Sequence, residues 1–321
     1  MGGSVVQRGH DIYLNIDNRW FQYRETDMIG GGAMGTVYRG FDCQTGEPVA
    51  VKRVIDQYAN NPEIRRRARQ EADLMFRHPN LVEMIGYCEV YPDRGPIFIV
   101  SNFVQGENID DFINNHVRCL PNAEHRICEL FLPVLDALAY IHQKGIIHMD
   151  IKPSNIMMEN ERNVRLMDLG IADVTETVNT ATSGMMGTPK YAAPEQFSDT
   201  ESSPQLTTAT DIYEAGVTLY ELITKENPFS ASTINEAKDL HKSLILDKKP
   251  WISDAVYQVL RKATEINPQQ RYQNASQMKM ALQEAIKPQK VGGGELNWLY
   301  ICLGIAGGVI FIIVLILILL L

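Results

Sequence analysis

The 24 residues from Trp298 to Leu321 run WLYICLGIAGGVIFIIVLILILLL without a single charge. Coiled as a helix they would span ~36 Å, enough for a hydrocarbon layer of about 30 Å with some tilt. A helix buried in a globular core seldom stays apolar on every face for that length. The feature therefore splits the chain in two, and the mean hydropathy of −0.16 averages over two unlike parts. Residues 298–321 are expected to form a single transmembrane helix that anchors the chain to a lipid bilayer by its C-terminus. Trp298 and Tyr300 stand where an interfacial aromatic belt would lie, and Lys287 and Lys290 precede it, which places the preceding domain in the cytoplasm. Gly304 and Gly308 make a G-x-x-x-G that would suit a homodimer, although glycine is also common in spans that pair with nothing.

The linker, residues 287–297, contains Val291 followed by three glycines and would hold the folded part close to the bilayer. The first residues, MGGSVVQRGHDIYLNIDNRW, lack the apolar core of a signal peptide. Val6 stands where a myristoylation signal needs Ser or Thr. Cys43, Cys88, Cys119, Cys128 and Cys302 are odd in number and contain no C-x-x-C. That excludes a zinc ribbon and points to reduced thiols on the cytosolic side. Thirty basic against 39 acidic residues leave a net charge of −9, which argues against a nucleic-acid partner.

Between the ends the texture changes once. Val37–Phe41, Val49–Val54, Leu81–Cys88 and Ile97–Phe103 read as strands, interrupted by a helical pattern over Glu63–Arg77. After Gly106 helices take over. Glu124–Gln143 carries an apolar stripe at Ile127, Leu130, Phe131, Val134, Leu135, Leu138 and Ile141. Ala209–Ile223, Asp254–Thr264 and Ser276–Ile286 follow the same period. The expected fold class is α+β with two lobes and a cleft between them: an extension over 1–20, a strand-rich lobe over 21–104 and a helical lobe over 105–286. The run Arg65-Arg66-Arg67 is expected to be a solvated helix face, with anionic lipid as a lesser alternative.

Ile29-Gly30-Gly31-Gly32-Ala33-Met34-Gly35-Thr36-Val37 is a G-x-G-x-x-G-x-V, in which glycine lets backbone approach phosphate. Alone it fits a dinucleotide fold as well, but a strand rather than a helix follows it. Next comes Val49-Ala50-Val51-Lys52, then His148-Met149-Asp150-Ile151-Lys152-Pro153-Ser154-Asn155, Asp168-Leu169-Gly170 and Ala193-Pro194-Glu195. In this order and spacing the motifs resemble the eukaryotic-type (Hanks-type) serine/threonine protein kinases over about residues 21–286. The bilobed protein-kinase fold is what the resemblance implies, with ATP in the cleft and Mg²⁺ as its metal.

It also implies roles for individual residues. The loop Ile29, Gly30, Gly31, Gly32, Ala33, Met34 and Gly35 would cover the phosphates, and Lys52 would hold them, paired with Glu71 or less readily Asp73. Val37, Ala50 and Met157 would sandwich the adenine. Asn102, Phe103 and Val104 would be the hinge, with Ser101 controlling pocket depth. Asp150 would take or orient the hydroxyl proton of a protein Ser or Thr, Lys152 would neutralise charge, and Asn155 and Asp168 would hold the metal. Gly187–Tyr191 would face the protein substrate. Met75, Met84, His148 and Leu169 would stack between the lobes, Asp211 would brace the catalytic loop, and Glu195 would pair with Arg271.

Two departures stand out. Met149 replaces the Arg that normally meets a phosphate on the activation segment, so activity is expected not to need that pairing even if Thr175, Thr177, Thr180, Thr182 or Ser183 is phosphorylated. Glu71 also stands about two residues closer to His78-Pro79-Asn80 than the family pattern has it. The rivals to an active protein kinase are a pseudokinase scaffold and a kinase for lipids or small molecules. Retention of Lys52, Asp150, Asn155 and Asp168 speaks against the first, and the Gly187–Tyr191 loop against the second.

Overall fold

The computed structural model describes residues 4–32, 35–54, 59–60, 62, 65–66, 69, 76–91, 94–167, 189–197, 206–231, 233–243 and 245–288. Chain contacts divide the protein into two units, residues 1–286 and 287–321. The apolar stretch over 298–321 lies outside the described residues. Among the described residues no helix is long and apolar enough to cross a membrane.

The first half of the larger unit is one seven-stranded antiparallel sheet. Its strands are β1 (Ser4–Arg8), β2 (Asp11–Ile16), β3 (Arg19–Gly32), β4 (Gly35–Asp42), β5 (Pro48–Val54), β6 (Met84–Glu89) and β7 (Ile97–Asn102). They lie in the order β1-β2-β3-β4-β5-β7-β6. Residues 4–16, at the start of the chain, thus continue the same sheet. The hairpin joining β2 to β3 turns on Asp17 and Asn18, both at positive φ. That is the two-residue geometry whose twist matches its strands.

Alternation along β2 sends Ile12, Leu14 and Ile16 inward. There they join Phe21, Tyr23, Tyr38, Val51, Phe98 and Val100 in one core. The sheet curls far enough for β2 to lean on β6. A Cβ at Gly86 would sit 2.6 Å from Ile16 Cγ2, so that contact needs glycine.

The second half is built on helices. After the short strand β8 (Glu107–Asn108) come α1 (Ile109–Phe112), which runs into a π turn over Ile113–Val117, and α2 (Ala123–His142). Two strands, β9 (Ile156–Met158) and β10 (Val164–Leu166), pair with β8 in a small sheet ordered β10-β9-β8. Then follow α3 (Thr208–Thr224), α4 (Ile234–Ser243), α5 (Asp254–Ala263) and α6 (Ala275–Ala285). The stripe on α2 packs into the large core as its spacing demands.

α3 is different, because nearly every residue from Ala209 to Thr224 is buried. Such a helix has neighbours on all sides and can hold several loops at once. It starts on a reciprocal cap in which Thr207 Oγ1 accepts from Ala209 N–H and Thr210 Oγ1 accepts from Thr207 N–H. It stops at Lys225, which takes a left-handed conformation with φ of 65°.

Candidate active site

Asp211, Glu214 and Thr218 share one face of α3 by their three- and four-residue spacing, and that face carries the loop before β9. Asp211 accepts from the backbone N–H of His148 through Oδ2 and of Met149 through Oδ1, each at 2.8 Å. Its Oδ2 also lies 2.7 Å from His142 Nε2. Glu214 Oε2 accepts from Ile151 N–H at 2.9 Å, and Thr218 Oγ1 donates to Ile151 O at 2.8 Å. His148 is fully buried, with Nε2 3.0 Å from Met167 O. Met149 has a φ of +62°, which costs a residue with a Cβ ~1–2 kcal/mol. The charge-assisted bonds from a carboxylate with no solvent exposure hold it there.

That strained turn presents Asp150. Its Oδ1 lies 2.8 Å and its Oδ2 2.7 Å from Lys152 Nζ. Asn155, at the end of a 3-10 turn, donates from Nδ2 to both Asp150 Oδ2 and Asp150 O, each at 2.8 Å. With Nδ2 committed, the other amide atom of Asn155 is an oxygen, the donor type that a hard divalent cation takes. The backbone carbonyl of Asn155 accepts from Met167 N–H at 2.9 Å, which brings the end of β10 beside the catalytic loop. Asp168, the next residue, lies outside the described residues. A carboxylate steadied by one ammonium and one amide is equipped to orient a hydroxyl and take its proton, while Lys152 meets developing negative charge.

The other wall is β4 and β5. Lys52 pairs in register with Val37 on β4 and with Ile99 on β7, and Ala50 is opposite Ser101. Gly30 and Gly31 have open space where a Cβ would be. A Cβ at Gly35 would meet Arg53 O at 2.3 Å, so this end of the hairpin closes only with glycine. Ala33, Met34, Glu71, Asp73, Met75 and Leu169 lie outside the described residues. Asn102 N–H donates to Glu83 O at 2.9 Å. Asn102 and Val104 line a cavity of about 420 Å³ together with His78, Leu81, Glu159 and Arg165. Val37, Ala50, Lys52 and Met157 take no part in its lining.

Arg65 departs from the solvated face expected of its run. It is 2% exposed and bonds Glu89 of β6, as well as Tyr91 O at 2.9 Å and Gly95 O at 2.6 Å. Arg69 reaches the other carboxylate oxygen of Glu89 at 2.6 Å, and Tyr87 OH donates to Glu89 at 2.9 Å. One buried carboxylate thus gathers three donors and ties residues 65 and 69 to the sheet. The sequence signal was the i, i+4 spacing of the two arginines, but the partner sits 24 residues away.

Pro189–Tyr191 lies against α3 and the residues after it. Asn227 donates to Lys190 O at 3.2 Å, and Lys190 Nζ is 3.6 Å from Glu221. Burial pushes the Tyr191 hydroxyl well above its usual range, helped by its bond to Glu221. Gly187 and Thr188 lie outside the described residues. Just beyond, Glu195 receives a bidentate pair from Arg271, at 2.7 and 2.9 Å. Arg271 also caps three backbone carbonyls and sits 4.8 Å above the Tyr213 ring.

Comparison with known proteins agrees with this geometry. The protein kinase domain model matches residues 23–284. A probable serine/threonine-protein kinase of Streptomyces coelicolor is 30% identical over 283 residues, covering 84% of this chain and 41% of the relative. The probable serine/threonine-protein kinase PknB of Corynebacterium glutamicum is 33% identical over 272 residues, covering 80% and 41%. Serine/threonine-protein kinase PknL of Mycobacterium tuberculosis is 31% identical, covering 82% and 64%. The chain thus spans less than half the length of the first two relatives. The crystal structure of the Mycobacterium tuberculosis PknI kinase domain, a double mutant, shares the fold with a TM-score of 0.59 at 22% identity, over 83% of this chain and 96% of that one. With the family model covering most of its length and the catalytic loop hung from α3 as described, the chain belongs to the protein kinase domain family, of the Hanks-type serine/threonine branch.

Proposed function

We propose that this protein transfers the γ-phosphate of ATP to serine and threonine hydroxyls of protein substrates while tethered to a membrane by residues 298–321. The observation that carries the reading is the set Asp150, Lys152 and Asn155, locked together at hydrogen-bond distance on a backbone that α3 holds in a strained conformation. Asp150 orients the incoming hydroxyl and accepts its proton, and Lys152 offsets charge on the phosphoryl oxygens. Asn155 and Asp168 would hold Mg²⁺, which would supply positive charge to offset that of the phosphates. The loop Ile29–Gly35 covers the nucleotide, Lys52 and its helix carboxylate Glu71 fix its phosphates, and Val37, Ala50, Met157 and the hinge residues Asn102 and Val104 hold its base. Positioning and charge neutralisation account for most of the catalysis, since the reaction needs little covalent help.

Membrane attachment rests on the uncharged 24 residues at the C-terminus, with 287–297 as linker, 21–286 facing the cytoplasm and Gly304 and Gly308 on a face for a homodimer. Met149, apolar and largely buried, offers no cation to a phosphorylated activation segment, so activity is independent of that pairing.

The test is phosphate transfer from Mg²⁺-ATP to myelin basic protein by the full chain in detergent, with phosphoamino acids read afterwards. Phosphoserine or phosphothreonine should form, should require Mg²⁺, and should vanish in Lys52→Met and Asp168→Asn. ATP binding without transfer in the wild type would overturn the reading in favour of a nucleotide-binding scaffold.

A further inference from the structure

Pro189–Tyr191 and the catalytic loop hang from the same helix, and one buried side chain makes the first of the two connections. His241, on α4, has no exposed surface. Its Nε2 lies 2.9 Å from Pro189 O and its Nδ1 2.8 Å from Tyr213 OH. A carbonyl only accepts, so Nε2 carries the proton. Nδ1 then accepts from the Tyr213 hydroxyl, and the tautomer is fixed from both ends. The ring is stacked on Phe229 at 3.9 Å between centroids and 15° between planes, with Phe197 5.4 Å away. Burial pushes its pKa down to about 3, against a smaller opposing effect of the Pro189 carbonyl, so the imidazole is neutral at any ordinary pH.

Tyr213 is two residues from Asp211 and one from Glu214, the groups that hold residues 148–151. The chain of contacts therefore runs from Asp150 through the backbone of its loop to α3, then through Tyr213 and His241 to Pro189. Glu221, near the far end of α3, and Asn227, just beyond it, fix the next residue, Lys190. Two successive residues of the segment are held in register with the catalytic carboxylate by side chains of one helix and of the residues that follow it.

We propose that His241 is a positioning residue for the protein substrate: its Nε2–H clamps the Pro189 carbonyl and so sets the distance between the segment 189–191 and Asp150. The assignment rests on the protein-kinase reading above and adds to it that α4 controls how a polypeptide, rather than ATP, is received. His241 touches neither substrate in this account and acts through Pro189 alone.

His241→Phe keeps the ring stacked on Phe229 and removes both hydrogen bonds. His241→Gln keeps a donor where Nε2 stands. Steady-state kinetics on the full chain, with myelin basic protein as phosphoacceptor, should show KM for that protein raised about five- to tenfold in His241→Phe, as loss of the bond to Pro189 O, the one of the two that reaches the segment, predicts. KM for Mg²⁺-ATP should stay within about twofold, and His241→Gln should recover most of the loss. Tyr213→Phe, which deletes one hydroxyl, should give a smaller change in the same direction. Unchanged KM for the protein in His241→Phe, or a parallel rise in KM for ATP, would overturn the assignment.

Amide hydrogen exchange at residues 190–192 reports the same clamp without any turnover and should accelerate in His241→Phe alone. If the wild type transfers no phosphate, the kinase reading fails and the exchange result still decides the clamp. Equal exchange in wild type and His241→Phe would overturn it.

Discussion

Asp211 is the residue on which the catalytic geometry turns, because its two fully buried oxygens accept three hydrogen bonds. Asparagine keeps the shape but offers one oxygen and an NH₂, so one of those N–H donors would face another donor. The turn at Met149 would then relax and move Asp150. Asp211→Asn should lower kcat about a hundredfold, the scale of a misplacement near 1 Å, with KM for Mg²⁺-ATP little changed, as steady-state kinetics can show. A second residue-scale consequence concerns pH. His241 is depressed to about 3 by burial and returns to about 6.5 when unfolded. Below that value the unfolded chain binds a proton that the native state refuses. The stabilisation is therefore complete above pH 6.5 and is lost as pH falls toward 3. Urea unfolding should show the wild type losing about 2 kcal/mol more than His241→Phe between pH 7 and pH 5.

At the scale of elements, the clamp of Glu89 on Arg65 and Arg69 fixes those two residues to β6. Removing the carboxylate strands a guanidinium that is 2% exposed. Glu89→Ala should cost about 3–5 kcal/mol in chemical denaturation, and replacing Arg65 and Glu89 together by apolar residues should recover much of it. Elements whose burial is decided locally were legible in the sequence. The stripe on α2 and the apolar period over Ala209–Ile223 of α3 mark them as core helices within a residue or two of their ends. Elements whose burial depends on distant partners were not. Arg65 reads as solvated until Glu89 and the carbonyls of Tyr91 and Gly95 surround it. α4 carries too few apolar residues to declare itself, since what it buries includes a histidine. The hairpin of β2 and β3 had a signal, the alternation Ile12, Leu14, Ile16 before Asp17-Asn18, but its apolar content is too small to suggest a sheet without the rest of that core. The catalytic loop was legible as a motif, and its cause was not: Glu214 and Thr218 sit more than sixty residues from the backbone they hold.

For the whole molecule, two properties of unlike origin meet in one chain. A kinase domain occupies residues 23–284, and an uncharged run of membrane-spanning length follows after 13 residues. The full chain expressed in bacteria should sediment with membranes and resist alkaline carbonate extraction, whereas a chain ending at residue 290 should not. Release of the full chain by carbonate would remove the anchor from the account.

The central claim is that Asp150, aligned by Lys152 and Asn155 on a backbone fixed by α3, performs the proton-handling step of phosphoryl transfer. It is tested most directly by kcat of Asp150→Asn in the full chain, measured beside the affinity for Mg²⁺-ATP. A fall of about 10²–10⁴ in kcat with nucleotide affinity preserved is the predicted result. Turnover within a few-fold of wild type would contradict it and place the chemistry on another residue.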